Sequence, residues 1–150
     1  RQMCIRDRCI NVYLPNNAKD CREFLENEVQ NYIVKKNVIL GGDFNFVENI
    51  TLDKLGGNDA LGNLGLKEMK DLKNTFHLCD VFRKLYPTDK VFTWSNSNVK
   101  CRLDRFYVSK SLMEKVANVY HYSSLVSDHD IVNLQLENLF SVEKQGSGFW

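Results

Sequence analysis

The sequence lacks several features that would point to a function class at once. Its 150 residues carry a net charge of only +1, so anion binding must come from local clusters and not from an overall basic field. No apolar run approaches the roughly 18 residues of a membrane span. The polar, charged N-terminus does not resemble a signal peptide, and there is no internal repeat. The length fits one domain with a core of its own.

The cysteines are odd in number and include no C-x-x-C pair. They are Cys4, Cys9, Cys21, Cys79 and Cys101. Such a set argues against a disulfide framework and against a zinc knuckle, and it favours a reducing intracellular compartment. We therefore expect these thiols to be small core or surface residues.

The two ends of the chain differ from its middle. Residues 1–8 fit no helical or strand period and are interpreted as a non-native leader, which implies that the natural domain begins further upstream. Residues 140–150 are polar and glycine-containing, as is typical of a linker. Residues 9–139 remain as the domain.

Strand and helix patterns interleave within the domain. Strands are predicted over residues 9–14, 38–40, 92–94, 101–108 and 131–136. Helices are predicted over residues 21–33, 66–76, 81–86 and briefly after 109–111, with a loop over 46–63. Asn17 is suited to cap the first helix. Because several strands are joined by short turns, we expect mixed sheets with helices outside them.

One stretch joins a buried strand to two polar side chains. Residues 38–40 are apolar, and Gly41 and Gly42 follow, where glycine lets the backbone pass through a space too tight for a side chain. Asp43 and Asn45 come next, and residues two apart on extended chain point to the same side. The stretch predicts an acid and an amide presented together, although alone it fits an ordinary turn equally well.

Three further polar clusters lie at predicted strand ends: Tyr13, Asp104, and Asp128 with His129. If the strands share sheets, these clusters and Asp43 can converge on one rim. One carboxylate can activate water, another can fix the histidine that carries a proton, and a third is a hard ligand for Mg²⁺ or Mn²⁺. The set indicates metal-assisted hydrolysis of a phosphate ester. It does not fit acyl transfer, because no Ser or Cys lies in a nucleophile motif.

Each of these residues also has an ordinary structural explanation. Tyr13 fits a half-buried strand tyrosine, and Asp128 fits a turn cap. Asp104 fits an ion pair with Arg102 or Arg105. These basic side chains can touch DNA phosphates, and a solvated strand edge explains them equally well. Packing or structural positions account for three more side chains: Trp94, His77 and His121.

The order of the motifs resembles the endonuclease/exonuclease/phosphatase superfamily, which includes DNase I-like nucleases and abasic-site endonucleases. The resemblance covers roughly residues 9–137 and rests on five segments in order: residues 12–16 (VYLPN), 42–45 (GDFN), 93–94 (TW), 102–104 (RLD) and 127–129 (SDH). The spacing is most similar to the endonuclease domain of non-LTR (LINE-type) retrotransposon polyproteins. The resemblance implies an α/β fold of mixed sheets, a four-layered α/β/β/α sandwich lacking its N-terminal portion.

The resemblance also implies roles for the polar residues. Asp43 would be the general base and a metal ligand, and Asn45 would orient the scissile phosphate. Asp104 would pair with His129, and His129 would stabilise the pentacovalent state. Asp128 would contribute to the Mg²⁺ or Mn²⁺ site.

Further residues are assigned by the same resemblance. Tyr13 would contact the phosphate or the leaving oxygen, and Thr93 and Trp94 would lie on the DNA-facing rim with Arg102 and Arg105. The partner would be DNA, and the protein would act in the nucleus as a monomer. In its parent polyprotein a reverse transcriptase would follow the linker and use the nicked 3′-hydroxyl as a primer.

The family's N-terminal asparagine and metal-binding glutamate have no counterpart in this sequence. We therefore expect weak or no activity from these 150 residues alone, and poor solubility from exposed strand edges. Two alternatives stay open. One is a cellular repair endonuclease or phosphatase of the same superfamily. The other is a non-catalytic, DNA-binding pseudogene remnant, which would keep salt-sensitive DNA binding without cleavage.

Overall fold

The structure is a computed structural model, and it describes residues 8–33, 37–58 and 65–137. The predicted linker and residues 1–7 of the predicted leader lie outside these ranges. In chain order the elements are β1 (Arg8–Tyr13), α1 (Ala18–Phe24), a π-helical segment (Leu25–Val29), α2 (Gln30–Tyr32), β2 (Val38–Asp43), α3 (Ile50–Asp53), β3 (Lys54–Leu55), α4 (Leu66–Phe76), β4 (Leu78–Asp80), α5 (Val81–Leu85), β5 (Trp94–Ser95), β6 (Lys100–Cys101), β7 (Asp104–Ser109), α6 (Lys110–Met113), β8 (Val116–Tyr122) and β9 (Ile131–Leu136). Within the described ranges, no helix has the length and apolarity to cross a bilayer.

The centre of the fold is a four-stranded mixed sheet in the order β1-β2-β7-β4. β1 runs parallel to β2, whereas β7 runs antiparallel to β2 and to β4. Two smaller sheets accompany it, β3-β6-β5 and the pair β8-β9. The expected mixed α/β fold with several sheets is confirmed.

Apolar side chains cover both faces of the central sheet. On one face, Leu40 and Tyr107 are buried with Leu25 and Met69 from the helical segments. On the other face, buried side chains come from α5, α6, β7 and β8: Val81, Phe82, Leu112, Val108 and Val119. Each fully buried side chain of this size stabilises the fold by about 1.5–3 kcal/mol. The sheet is therefore a middle layer between α1 and α4 on one side and α5, α6 and β8-β9 on the other.

The first predicted helix is present but not uniform. Asn17 caps it as predicted, because its side chain accepts a hydrogen bond of 2.9 Å from the backbone N–H of Asp20. The helix then widens to π geometry over Leu25–Val29 before it ends at Tyr32. The first strand begins at Arg8, one residue inside the predicted leader, and the Arg8 N–H bonds to Asn37 O at 3.0 Å.

Several local elements differ from the predictions. The predicted loop over 46–63 contains α3 and β3, and β4 precedes α5. The predicted strand over 101–108 is interrupted at Arg102 and Leu103, whose backbone N–H groups bond to Asp53 O and to Thr93 Oγ1 and not to a neighbouring strand of the sheet. β8 was not predicted. Its outward positions are aromatic, as at Tyr120 and Tyr122, and a bulge between Val116 and Asn118 breaks its period of two.

The two glycines of β2 are required by close approaches. At Gly42, φ is +141°, and a Cβ would lie 1.9 Å from Val12 O in the neighbouring strand. At Gly41, a Cβ would lie 2.4 Å from the ring of Phe106, which is directly opposite in β7. The prediction of a backbone passage too tight for side chains is therefore correct.

Candidate active site

Three of the predicted site residues form one row across the central sheet. Tyr13 in β1 is paired with Asp43 in β2, and Asp43 is paired with Asp104 in β7. Directly opposite residues of neighbouring strands project to the same face. That face also carries Ile39 and Phe106, so the row continues the apolar surface beneath β8-β9 out to the rim of the sheet.

The chain turns sharply after Asp43, and the acid itself stabilises the turn. Asp43 Oδ1 accepts a hydrogen bond of 2.9 Å from the backbone N–H of Asn45. Asn45 has a φ of 51°, a left-handed conformation that asparagine tolerates better than most residues. Its side-chain Nδ2 donates to Leu14 O at 2.6 Å. Asp43 and Asn45 both line the cleft, but a turn and not the predicted extended chain brings them there, and one amide hydrogen of Asn45 is used by the scaffold.

His129 lies against both carboxylates. Its Nδ1 is 2.8 Å from Asp104 Oδ2, and its Nε2 is 3.9 Å from Asp43 Oδ2. The first distance is a hydrogen bond, whereas the second is too long for one. The imidazole is therefore oriented by Asp104 and directs its other nitrogen toward Asp43. The three residues are far apart in the chain, and the fold brings them together.

The pKa values of this trio are shifted by their surroundings. Burial raises the pKa of Asp43; the N–H of Asn45 offsets part of this, and the negative charge of Asp104 adds to it. Burial alone would lower the pKa of His129, but the hydrogen bond and charge of Asp104 and the charge of Asp43 outweigh it and raise that pKa. Asp43 therefore holds a proton more readily than an exposed aspartate, and His129 stays cationic to higher pH.

Asp128 faces the rim of the site. Its exposed carboxylate accepts a hydrogen bond of 2.8 Å from Trp94 Nε1, and its carbonyl accepts one of 3.1 Å from Ser95 N. Trp94 also forms a β-bridge with His129. The Trp94 ring thereby links β5 to the segment that carries Asp128 and His129.

One group of side chains can hold a cation. Single ligand atoms of Asp43, Asp104 and His129 all lie within 4.8 Å of one another. Two carboxylate oxygens suit Mg²⁺ or Mn²⁺, so the residues present fit a hard divalent ion. Asp128, which the sequence pairs with Asp43 as a ligand, is adjacent to His129, and its Oδ2 accepts the hydrogen bond of Trp94 Nε1.

These residues open onto a cleft of about 500 Å³. Tyr13, Asp43, Asn45, Trp94, Asp128 and His129 line it. Tyr13 is 73 % exposed, so its hydroxyl is accessible and it is not a half-buried strand tyrosine. The volume falls within the usual range for ligand pockets.

The predicted DNA contacts of Arg102 and Arg105 are corrected by their burial. They are only 1 % and 2 % exposed. Arg102 bonds to Asp53 at 2.8 Å and to Asp80 at 2.7 Å. Arg105 donates to the carbonyls of Phe46 and Arg102. Both guanidinium groups therefore stabilise the interior and present no surface to a phosphate.

Thr93 is also buried, at 1 % exposure, so it does not lie on a DNA-facing rim as predicted. Its neighbour Trp94 does line the cleft. Alternation along a short extended run places the two side chains on opposite sides. The sequence motif identified the right segment, but not which of its two residues faces outward.

Other cleft residues were not predicted as site residues, although Asn16 lies in the first of the five motif segments. Lys54 is mostly buried, and its Nζ bonds to Asn58 O. Asn16, Asn58 and Asn96 also line the cleft. Asparagine is common in turns, and Asn96 does accept bonds from the N–H groups of its own turn. An asparagine that only stabilises a turn therefore cannot be distinguished, from the sequence, from one that also lines the cleft.

Comparison with known proteins gives concordant similarities. The sequence profile of the Endonuclease/Exonuclease/phosphatase family matches residues 6–129. A Xenopus laevis protein described as the transposon TX1 uncharacterized 149 kDa protein is 28 % identical over an alignment of 149 residues, and the match covers 94 % of this chain. The chain spans only 11 % of that protein.

Solved structures share the fold. The 3′ phosphatase NExo from Neisseria, bound to a product DNA hairpin, superposes with a TM-score of 0.72 at 17 % identity, over 87 % of this chain and 61 % of its own. An AP endonuclease from Archaeoglobus fulgidus gives a TM-score of 0.65 at 20 % identity, over 85 % and 60 % respectively. The AP endonuclease LMAP from Leishmania major gives 0.58 at 22 % identity, over 67 % and 35 %.

Proposed function

Since the chain belongs to the Endonuclease/Exonuclease/phosphatase family, whose members hydrolyse phosphodiester bonds, we propose that it is the DNA-nicking endonuclease part of a non-LTR retrotransposon protein. The observation that carries this proposal is the position of His129, hydrogen-bonded to Asp104 at 2.8 Å and facing Asp43 at 3.9 Å in an open cleft. Its side chain is 32 % exposed, against 11 % for Asp43, so a substrate can approach the imidazole from the cleft.

Each residue of the trio has a defined task in the proposed reaction. Asp43 accepts the proton of the attacking water, and its raised pKa suits a proton acceptor. Asp104 keeps the Nδ1 proton of His129 in place. The Nε2 group of His129 then donates to a phosphate oxygen and stabilises the charge of the pentacovalent state.

Two further cleft residues orient the substrate. An amide nitrogen carries two hydrogens, and Asn45 uses one on Leu14 O. The second is proposed to donate to the scissile phosphate. The exposed hydroxyl of Tyr13 is proposed to contact the phosphate or the leaving oxygen. Neither group adds charge to a site that already holds two carboxylates.

We propose that Asp43, with Asp128 contributing from the rim, holds Mg²⁺ or Mn²⁺. Such a cation would neutralise charge on the phosphate oxygens. Removal of divalent ions with EDTA is therefore expected to stop cleavage, and Mg²⁺ or Mn²⁺ in excess is expected to restore it.

The similarity to a transposon protein favours a mobile-element function over a repair function. It covers 94 % of this chain, whereas the structural neighbours share the fold at 17–22 % identity. In this proposal the protein acts as a monomer on nuclear DNA, and the nicked 3′-hydroxyl primes a reverse transcriptase carried by the same polypeptide.

The test is nicking of supercoiled plasmid in Mg²⁺ by the 150-residue chain and, in parallel, by the longest natural reading frame that contains it. Conversion of supercoiled to open-circular plasmid by the longer protein, lost in its His129→Ala variant, is the expected result, and weak or no conversion is expected from the 150-residue chain. Oligonucleotides with an abasic site or a 3′-phosphate test the alternatives. Faster cleavage of either oligonucleotide than of the plasmid would favour a repair function and count against the retrotransposon proposal. Salt-sensitive DNA binding without any cleavage would refute catalysis.

A further inference from the structure

Thr93 joins the two chain segments that carry Asp104 and His129. Its Oγ1 accepts hydrogen bonds of 2.9 Å from the backbone N–H groups of Leu103 and Asp104. Its carbonyl oxygen accepts a bond of 2.7 Å from Asp130 N. One buried residue therefore contacts the backbone of Asp104 on one side and the neighbour of His129 on the other.

We propose that Thr93 is the positioning residue of the site, which fixes Asp104 and His129 at hydrogen-bonding distance. This rests on the function proposed above. Thr93 is 1 % exposed and does not line the cleft, so it contacts neither substrate nor reacting atoms. It acts through the backbone of the residues that do.

The hydroxyl is well placed to set this geometry because the backbone before Asp104 leaves the ladder of β7. Leu103 lies in the interruption between β6 and β7, and Asp104 is the first residue of β7. A side-chain oxygen with two lone pairs satisfies both of their N–H groups at once. A buried N–H without a partner is strongly unfavourable, so removal of this oxygen must move the segment or admit water.

The same segment is linked to the Asp43 side of the site. Phe44 N donates to Leu103 O at 3.0 Å, directly after Asp43. A shift of Leu103 would therefore disturb both carboxylates relative to His129. A misplacement of about 1 Å at a catalytic group can reduce the rate by about 10²-fold.

The test compares Thr93→Val, which has nearly the same shape but no acceptor, with Thr93→Ser, which keeps the hydroxyl. Ser109→Ala is the matched control. Ser109 is buried at the opposite end of β7, and its Oγ accepts a bond of 2.8 Å from Val38 N. This control also removes a buried hydroxyl that bonds to a backbone N–H, but away from the cleft.

The first readout is independent of nuclease activity. Amide hydrogen exchange and the His129 imidazole NMR signals are measured on the 150-residue chain in EDTA. In Thr93→Val we expect faster exchange at Leu103 and Asp104, and loss of the low-field proton between His129 and Asp104. Asp130 should stay protected, because its N–H bonds to the backbone oxygen of residue 93. Thr93→Ser and Ser109→Ala should keep the His129 signal.

The second readout is plasmid nicking by the longest natural reading frame, measured below the unfolding temperature of every variant. Thr93→Val should lose about 10²-fold in kcat with little change in KM, and Thr93→Ser should recover most of that loss. If Thr93→Val does not fold, Thr93→Ala takes its place in both measurements. An unchanged His129 signal in the variant without a hydroxyl would overturn the proposal, even if nicking fell. Absence of nicking by the unsubstituted longest natural reading frame would refute the proposed function and leave the first readout decisive for Thr93.

Discussion

Asp43 and Asp104 are direct neighbours across two antiparallel strands, and both carboxylates face His129. Like charges opposite each other destabilise a sheet. Burial and then the charge of Asp104 raise the pKa of Asp43. The raised pKa reflects the same repulsion, because a negative neighbour disfavours ionisation of the Asp43 carboxyl. An arrangement that weakens the fold at this point and concentrates charge in a cleft is expected where a site has been selected for chemistry.

Replacement of Asp43 should separate stability from activity. Asp43→Asn keeps the oxygen that accepts the N–H of Asn45 but removes the charge. We expect nicking to fall by about 10²–10⁴-fold because the proton acceptor is lost. Relief of the like-charge contact should raise the free energy of unfolding by about 0.2–1 kcal/mol. Plasmid nicking and urea denaturation measure the two effects.

Asp71→Asn is the matched control for that substitution, since Asp71 is an exposed carboxylate on α4. The nicking rate and the free energy of unfolding of Asp71→Asn should both stay close to those of the unsubstituted protein. Full nicking by Asp43→Asn would remove Asp43 from the mechanism.

The pH dependence of nicking should report the pair of Asp104 and His129. The raised pKa of His129 means that its imidazolium persists to higher pH than usual, and activity is lost as the pH rises through that raised value. Asp104→Asn removes the hydrogen-bonded charge that raises the pKa. The alkaline limb of the pH–rate profile should therefore move to lower pH, together with the NMR titration of His129. A limb that stays in place would show that another group sets it.

Acid stability should depend on the buried pairs of Arg102. Burial alone would raise the pKa values of Asp53 and Asp80, but Arg102 outweighs it and holds both below their usual value of 3.8. Carboxylates whose pKa is lowered in the folded state stabilise the protein fully at pH values above their unfolded pKa. This stabilisation is lost as the pH falls through the lowered pKa of the folded state. Thermal unfolding between pH 7 and pH 2 should show the loss.

Arg102→Met leaves both buried carboxylates with less compensation and should destabilise the fold by about 3–5 kcal/mol. Arg22→Met is the comparison, because Arg22 pairs with Glu68 at 2.9 Å but its side chain is 61 % exposed. That variant should lose less than about 1 kcal/mol. Weaker DNA binding by Arg102→Met with unchanged stability would contradict the burial of this guanidinium.

The glycines of β2 should differ in how they can be rescued. Gly42→Ala places a Cβ against the backbone oxygen of Val12, which cannot move independently, so we expect a loss of more than about 3 kcal/mol. Gly41→Ala meets the ring of Phe106, a side chain that can be replaced. The pair Gly41→Ala with Phe106→Leu should recover part of the stability, as measured by denaturant unfolding. If Phe106→Leu restored the stability of Gly42→Ala to the same extent, the assignment of the Gly42 contact to Val12 O would be wrong.

The sequence located most of the site but not how its parts are arranged. Asp43 and Asn45 were predictable because a buried strand and two glycines lead directly into them. The pairing of Asp104 with His129 depends on contacts between distant segments, so the residues could offer it only as one possibility and the resemblance was needed to assign it. The burial of Arg102 was not predictable, because its partners Asp53 and Asp80 lie in segments that look like a loop and a helix start.

The row formed by Tyr13, Asp43 and Asp104 has a consequence for how the gene can change. Because strand residues alternate between faces, deletion of one codon within β2 would exchange every inward and outward position after it. The acid would turn toward the apolar interior at the same time as the packing residues turned away. Single-codon gains or losses there should therefore eliminate activity and folding together.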